Sequence, residues 1–130
     1  MYNYMVVRES SLVISTDLST SLTDEEVDRI FRALADATRR DIVKRTLIGE
    51  ESVSALAAEY DMSFAAVQKH VAVLEGAGLV TKHRRGRERL VRGNPASIDR
   101  VRGLLDEYER IWTARIDRLD ALFDAEEPHT

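Results

Sequence analysis

Three observations predict a mainly α fold with a small β-hairpin. Apolar residues recur at helical spacing in five segments, and most of those segments open on a residue that can cap a helix. Two short β-prone pieces, GLVTK (78–82) and RLVRG (89–93), flank HRRGRE, whose Gly86 suits a hairpin turn. The last segment keeps its three- and four-residue apolar spacing over 98–123, far longer than the others.

The first helix is predicted over about 24–35. TDEE (23–26) is a capping box, in which the Thr23 hydroxyl accepts the Glu26 N–H and the Glu26 carboxylate reaches back. Val27, Ile30, Phe31 and Leu34 then share one face. Asp36 is the expected N-cap of a second helix, ATRRDIVKRTLI, with Ile42, Val43 and Leu47 inward and Gly49 at its end. Ser52 caps a short third helix that turns Val53, Leu56, Ala57 and Tyr60 inward. After the turn YDMS, Ser63 caps a fourth helix over 64–76, which buries Val67, Val71 and Leu74 and stops at the glycines of EGAG. Asn94 and Pro95 open the last helix.

The chain of 130 residues suits one domain with one core. Apolar and charged fractions of 44% and 32% are those of a folded globular protein. There is no cysteine, which excludes disulfides and thiolate metal sites. No apolar run approaches the ~18 residues of a membrane span, and residues 1–21 lack the features of a signal peptide. The expected location is the cytoplasm, with no membrane partner. The expected organisation is a flexible arm over 1–21 with an ordered piece near 4–7, a domain over 22–124 whose last helix spans about 96–124, and a tail over 125–130.

Charge is unevenly spread. Between residues 82 and 92, Lys82, Arg84, Arg85, Arg87, Arg89 and Arg92 face a single acid, Glu88, in a chain of net charge −4. The cluster lies in the predicted hairpin, directly after a short helix, a tight turn and a second helix. That order is a winged helix-turn-helix, in which the second helix enters the DNA major groove and the hairpin holds backbone or minor groove. On the outward face of the fourth helix, Gln68 suits bidentate pairing with adenine. Lys69 suits a guanine edge or a phosphate, and Phe64 and Ala65, beside Ser63, suit thymine methyls. Arg84, Arg85 and Arg87 are the expected backbone contacts. A solvated amphipathic helix and a plain charged face are the alternative readings of the same residues.

FRALADATRRDIVKRTL and MSFAAVQKHVAVLEGAGLVTKHRRGRERLVRG resemble the ArsR/SmtB family of bacterial winged-helix repressors. The resemblance covers roughly residues 25–123 and is most specific in ALADATRR and AVQKHVAVLEGAGLV. It implies a homodimer held by the first and last helices, a palindromic operator and repression of transcription. It also implies base contacts at Ala65, Gln68 and Lys69, and a wing at 84–87. Ala37 stands where the family usually has proline. The cysteine pairs, or the His and carboxylate sets, of the family's metal sensors are missing, so a non-metal-sensing type with no cofactor is expected.

His70, His83 and His129 have no His or Cys partner at helical spacing. His70 is expected at the edge of the buried face of its helix, and His83 in the wing. Arg39 and Arg40 are expected to reach phosphate or to pair with Asp36 and Asp41. The last helix is too long for one small domain to cover. Phe31, Leu105, Tyr108, Trp112, Ile116 and Leu119 are therefore the expected dimer interface, with packing across its own domain as the alternative. Phe31, Tyr108 and Trp112 are also candidates for plain core or for lining the pocket of an unidentified small-molecule effector. A protein-interaction module is the second functional reading. An enzyme finds no support, because there is no nucleophile–base pairing, phosphate loop or metal-ligand cluster.

Overall fold

The computed structural model describes residues 22–126, with the Glu126 side chain outside that range. The N-terminal arm, the piece near 4–7, His129 and the end of the predicted tail lie outside the described residues. The elements are α1 (Asp24–Leu34), α2 (Ala37–Ile48), β1 (Glu51–Ser52), α3 (Val53–Ala58), α4 (Phe64–Gly76), β2 (Val80–Arg85), β3 (Glu88–Gly93) and α5 (Pro95–Glu126). Each expected helix is present, and α4 has its expected bounds. The strand at β1 was not expected. It makes the wing a three-stranded antiparallel sheet in the order β1-β3-β2.

Local chemistry sets the helix starts. The capping box is formed, with Glu26 N–H donating to Thr23 Oγ1 at 3.1 Å and Thr23 N–H donating to Glu26 Oε1 at 2.9 Å. Asp36, Ser52 and Ser63 accept from Arg39, Ala55 and Ala66 N–H respectively. Ala37 occupies the first position of α2, where proline would have left no hydrogen bond unmade. At the end of α4, Gly78 adopts φ 76°, and the N–H groups of Gly78 and Leu79 donate to the carbonyls of Glu75 and Leu74 at 3.0 Å each. This pair of bonds is a Schellman motif, and it turns the chain from α4 into β2.

The core gathers Ile30 and Ala33 of α1, Ile42 and Val43 of α2, Val53 and Leu56 of α3, Val67, Val71 and Leu74 of α4, and Leu79, Val80 and Val91 around the wing. Leu47 departs from its expected inward place and is 41% exposed, while Thr46 is buried. The Thr46 hydroxyl donates to the Ile42 carbonyl at 2.8 Å, so the helix itself satisfies it and it can enter the core without an orphaned polar group. Leu47 instead lies beside Gly93 at the end of β3.

Arg39 and Arg40 do not pair through their side chains with Asp36 and Asp41. They satisfy the last carbonyls of α1: Arg39 donates to Ala33 at 2.7 Å and to Arg32 at 3.1 Å, and Arg40 donates to Leu34 at 2.7 Å. Helix ends leave such carbonyls without partners, and cations suit them. Arg39 also donates to His70 Nδ1 at 3.3 Å, which ties α4 to the α1–α2 corner. His70 is thus a packed residue of the framework.

Between α2 and the end of α3, the Tyr60 hydroxyl donates to Asp41 Oδ2 at 2.6 Å. Arg45 joins Asp41 at 3.0 Å and Glu59 at 3.2 Å. Burial, and then the bond to Asp41, push the Tyr60 phenol up to about 12 from its ordinary 10.0. Folding therefore favours the protonated phenol. This contribution is fully present below pH 10.0 and is lost as pH rises through about 12. In an absorbance titration of the folded chain, a late tyrosine ionisation should appear, and Tyr60→Phe should remove that step. A late step that persists in Tyr60→Phe would assign it elsewhere.

Candidate nucleic-acid interface

The outward face of α4 and the wing are the two sides of one cleft. Val67, Val71 and Leu74 anchor α4 in the core, which turns Phe64, Ala65, Gln68, Lys69 and Ala72 to solvent. Ser63 is the N-cap, its Oγ accepting from the Ala66 N–H at 3.1 Å, which leaves its O–H as a donor. Phe64 and Gln68 line a cleft of about 400 Å³ together with Ser52 and Ser54 of the α3 start and Lys82, Arg87 and Arg89 of the wing. Ala65 and Lys69 are exposed on α4 but do not line the cleft.

The register of the wing sorts its cations by face. β2 and β3 are joined by a two-residue turn, Gly86 and Arg87, with Gly86 at φ 62°. Arg85 therefore pairs with Glu88, Arg84 with Arg89, His83 with Leu90 and Lys82 with Val91. Side chains alternate along a strand and cross-strand partners share a face. Lys82, Arg84 and Arg89 thus lie on one face, which is the cleft face, as the lining by Lys82 and Arg89 shows. His83, Arg85 and Arg92 lie on the other.

The two faces differ electrostatically. Lys82 is paired with Glu75 at 3.4 Å. Among the described residues, Arg84, Arg87 and Arg89 have no ion-pair partner, although Arg84 and Arg89 sit directly opposite one another. Like charges opposed across strands destabilise a sheet unless an anion joins them. On the other face, Glu50 meets His83 at 3.2 Å, Arg85 at 3.5 Å and Arg92 at 2.8 Å. The bond from Arg92 holds the Glu50 carboxyl below its ordinary range, so it is ionised at neutral pH.

Of the expected contacts, Phe64, Gln68 and Arg87 converge on the cleft. Arg84 lies on the cleft face beyond its lining, and Arg85 is on the Glu50 face. Arg89, Ser52 and Ser54 were not anticipated. Arg89 was accessible from the sequence, because a two-residue turn at Gly86 and Arg87 places it opposite Arg84.

The last helix leaves its apolar stripe bare. Ile98 and Val101 pack on the core, and Arg100 joins Glu26 of α1 at 3.3 Å. Among the described residues beyond Leu104, only Ile116 is even half-buried. Leu105, Tyr108, Ile111, Trp112, Leu119, Leu122 and Phe123 are exposed, as is Phe31 of α1 at 42%. Phe31, Tyr108 and Trp112 are thus exposed in the single chain. Among the described residues, no three His, Asp or Glu side chains gather to hold a metal ion. No described helix is long and apolar enough to cross a membrane.

Residues 34–83 match the helix-turn-helix domain family HTH_20. The HTH-type transcriptional regulator Rv2034 of Mycobacterium tuberculosis is 37% identical over 99 residues, which is 76% of this chain and 90% of that protein. The crystal structure of the ArsR family transcriptional regulator RHA00566 is 33% identical with a TM-score of 0.67, over 72% of this chain and 96% of that one. The chain belongs to the ArsR family. A homodimeric winged helix-turn-helix DNA-binding domain from Mycobacterium bovis has the same fold, at 24% identity and a TM-score of 0.53, over 82% of this chain and 89% of that one. This ArsR-family protein is a DNA-binding transcriptional regulator of a non-enzymatic family.

Proposed function

We propose that the chain is a homodimeric repressor of the non-metal-sensing type, acting in the cytoplasm on an inverted-repeat operator. The observation that carries this reading is the shared cleft, where Gln68 and Phe64 of α4 face the same space as Arg87 and Arg89 of the wing. A major-groove helix needs polar and methyl-contacting groups at its outward N-terminal end, and Ser63, Phe64, Ala65, Gln68 and Lys69 supply them. Arg84 and Arg87, joined by Arg89, grip phosphate from the cleft side, while Arg85, expected beside them, is engaged by Glu50 on the other face. The unit spans residues 22–124, with α5 from about 96 as its dimerisation arm.

The dimer is supported by the exposure of Leu105, Tyr108, Trp112 and Leu119 on α5, with the half-buried Ile116 among them, and of Phe31 on α1. A two-fold pair would set two reading helices about one DNA turn apart, roughly 34 Å, which suits inverted half-sites. Repression follows from the family likeness, and lack of cysteine supports the non-metal type. A small-molecule effector, if bound at this interface, would act by changing the spacing of the two reading helices.

Fluorescence anisotropy with the DNA upstream of the chain's own gene, against a scrambled duplex and at several salt concentrations, tests the reading. Preference for the upstream DNA with a steep salt slope is expected. No binding to either duplex at low salt would reject it. Gln68→Ala should cost about 1–3 kcal/mol against the best site and relax the preference at one base pair. Arg87→Ala should weaken all duplexes alike and reduce the salt slope by about 1. An unchanged slope in Arg87→Ala would remove the wing from the interface.

A further inference from the structure

We propose that Glu50 is a specificity-determining residue that withholds Arg85 and Arg92 from DNA by standing in for a phosphate on the outer face of the wing. The proposal rests on the DNA-binding reading above and names a part of the interface that this reading does not contain. Glu50 directly precedes β1, and β1 pairs with β3 so that Glu51 lies opposite Val91. Continuing that antiparallel register brings Glu50 opposite Arg92. Both Nε and Nη2 of Arg92 donate to Glu50 Oε2, at 3.1 and 2.8 Å. His83 approaches the same oxygen at 3.2 Å, and Arg85 approaches Oε1 at 3.5 Å.

One carboxylate thus serves three basic side chains, each from a different position of the outer face. An isolated surface ion pair is worth little. Glu50 differs in that its side chain is only 22% exposed, against 72% for Arg85 and 59% for Arg92. The acid is held by the sheet edge while the arginines remain within reach of solvent. An arginine so placed must give up Glu50 before it can neutralise a phosphate, so its net gain from DNA is small. Arg84, Arg87 and Arg89, on the cleft side and without partners among the described residues, carry no such cost. Phosphate contacts hold every sequence alike and carry no direct sequence information. Limiting them to the cleft face, beside Gln68, lowers binding to arbitrary DNA while leaving base contacts in place.

The test is Glu50→Gln, which keeps the side-chain shape and removes the charge. Anisotropy would be measured on the upstream and scrambled duplexes across a salt series, with thermal unfolding to monitor the fold. Each added phosphate contact steepens the salt slope by about 0.9. Release of two arginines should therefore steepen it by nearly 2 and tighten scrambled-duplex binding at low salt by about tenfold. The preference for the upstream DNA should fall. Arg92→Ala should leave the slope of the natural chain unchanged and reduce that of Glu50→Gln by about 1.

An unchanged slope in Glu50→Gln, or weaker binding to both duplexes, would overturn the proposal and make Glu50 a structural support of the wing. Should Glu50→Gln not fold, Arg92→Ala in the natural chain decides alone: an unchanged slope upholds the proposal, and a lower one overturns it. Failure of the natural chain to bind either duplex would reject the DNA-binding reading itself. Binding by the natural chain with no response in Glu50→Gln would reject only the role of Glu50.

Discussion

Replacing Trp112 by glutamate is expected to leave the monomer folded and to abolish high-affinity operator binding. Within one chain the Trp112 side chain is 58% exposed, and α5 leaves its own core near Leu104. Its neighbour Arg115, 6.0 Å from the ring, lies on the same helix and needs no support from the domain. The substitution therefore removes nothing that the monomer's core depends on. In a two-fold dimer every such change occurs twice. Burying a large apolar side chain contributes about 1.5–3 kcal/mol, so two copies amount to about 3–6 kcal/mol. The dimer dissociation constant should rise by about two to four orders of magnitude. A monomer offers one reading helix to one half-site, so operator affinity should fall with it. Sedimentation of Trp112→Glu, with anisotropy on the same sample, checks both. A stable dimer with unchanged affinity would remove this part of α5 from the interface.

Gly93→Ala is expected to destabilise the fold by about 1–3 kcal/mol, the range for forcing extra atoms into a packed interior. A Cβ at Gly93 would lie 2.8 Å from Leu47 Cγ and Cδ2, and 2.9 Å from the Leu47 backbone nitrogen. The Leu47 side chain can rotate away, but its nitrogen belongs to α2 and moves only with the helix. The cost is then shared between α2 and β3, so the wing should shift as well as loosen. For a domain of this size each kcal/mol lowers Tm by about 4–8 °C. Gly49→Ala is the control. Gly49 has extended backbone at φ −169°, and a Cβ there meets nothing within 4 Å. It should leave Tm unchanged or raise it slightly. Equal losses in the two variants would show that the approach of β3 to α2 is not what makes Gly93 necessary.

The contrast between these two glycines marks the limit of what the sequence reveals. In the sequence Gly49 ends the second helix and Gly93 is the last residue of RLVRG, and nothing local sets the two apart. Gly78 could be read as a helix stop, because the Schellman motif is local and involves only residues 74–79. Gly93 could not, because its neighbour Leu47 is 46 positions away and comes close only after folding. The same division runs through the candidate site. Gln68 and Phe64 were legible because helical periodicity, with Val67, Val71 and Leu74 inward, leaves only one outward face. Arg84 and Arg87 were legible as a charge cluster at a turn. The separation of Arg85 and Arg92 from Arg84 and Arg89 was not, because it depends on Glu50, which joins the wing through the two-residue strand β1.

The sequence alone determined the winged helix-turn-helix order, the five helices with their caps, the buried face of α4 and the acid-poor stretch that forms the wing. These depend on short-range periodicity, capping and turn chemistry, where the interacting groups lie within a few residues of one another. Only the tertiary structure decided that Arg39 and Arg40 cap α1, that Thr46 rather than Leu47 enters the core, that β1 completes the sheet, and that α5 leaves its apolar stripe uncovered. Each of those outcomes depends on how the elements pack against one another, not on spacing within one element, and is settled by which arrangement satisfies a polar group or fills a space at the lower free-energy cost.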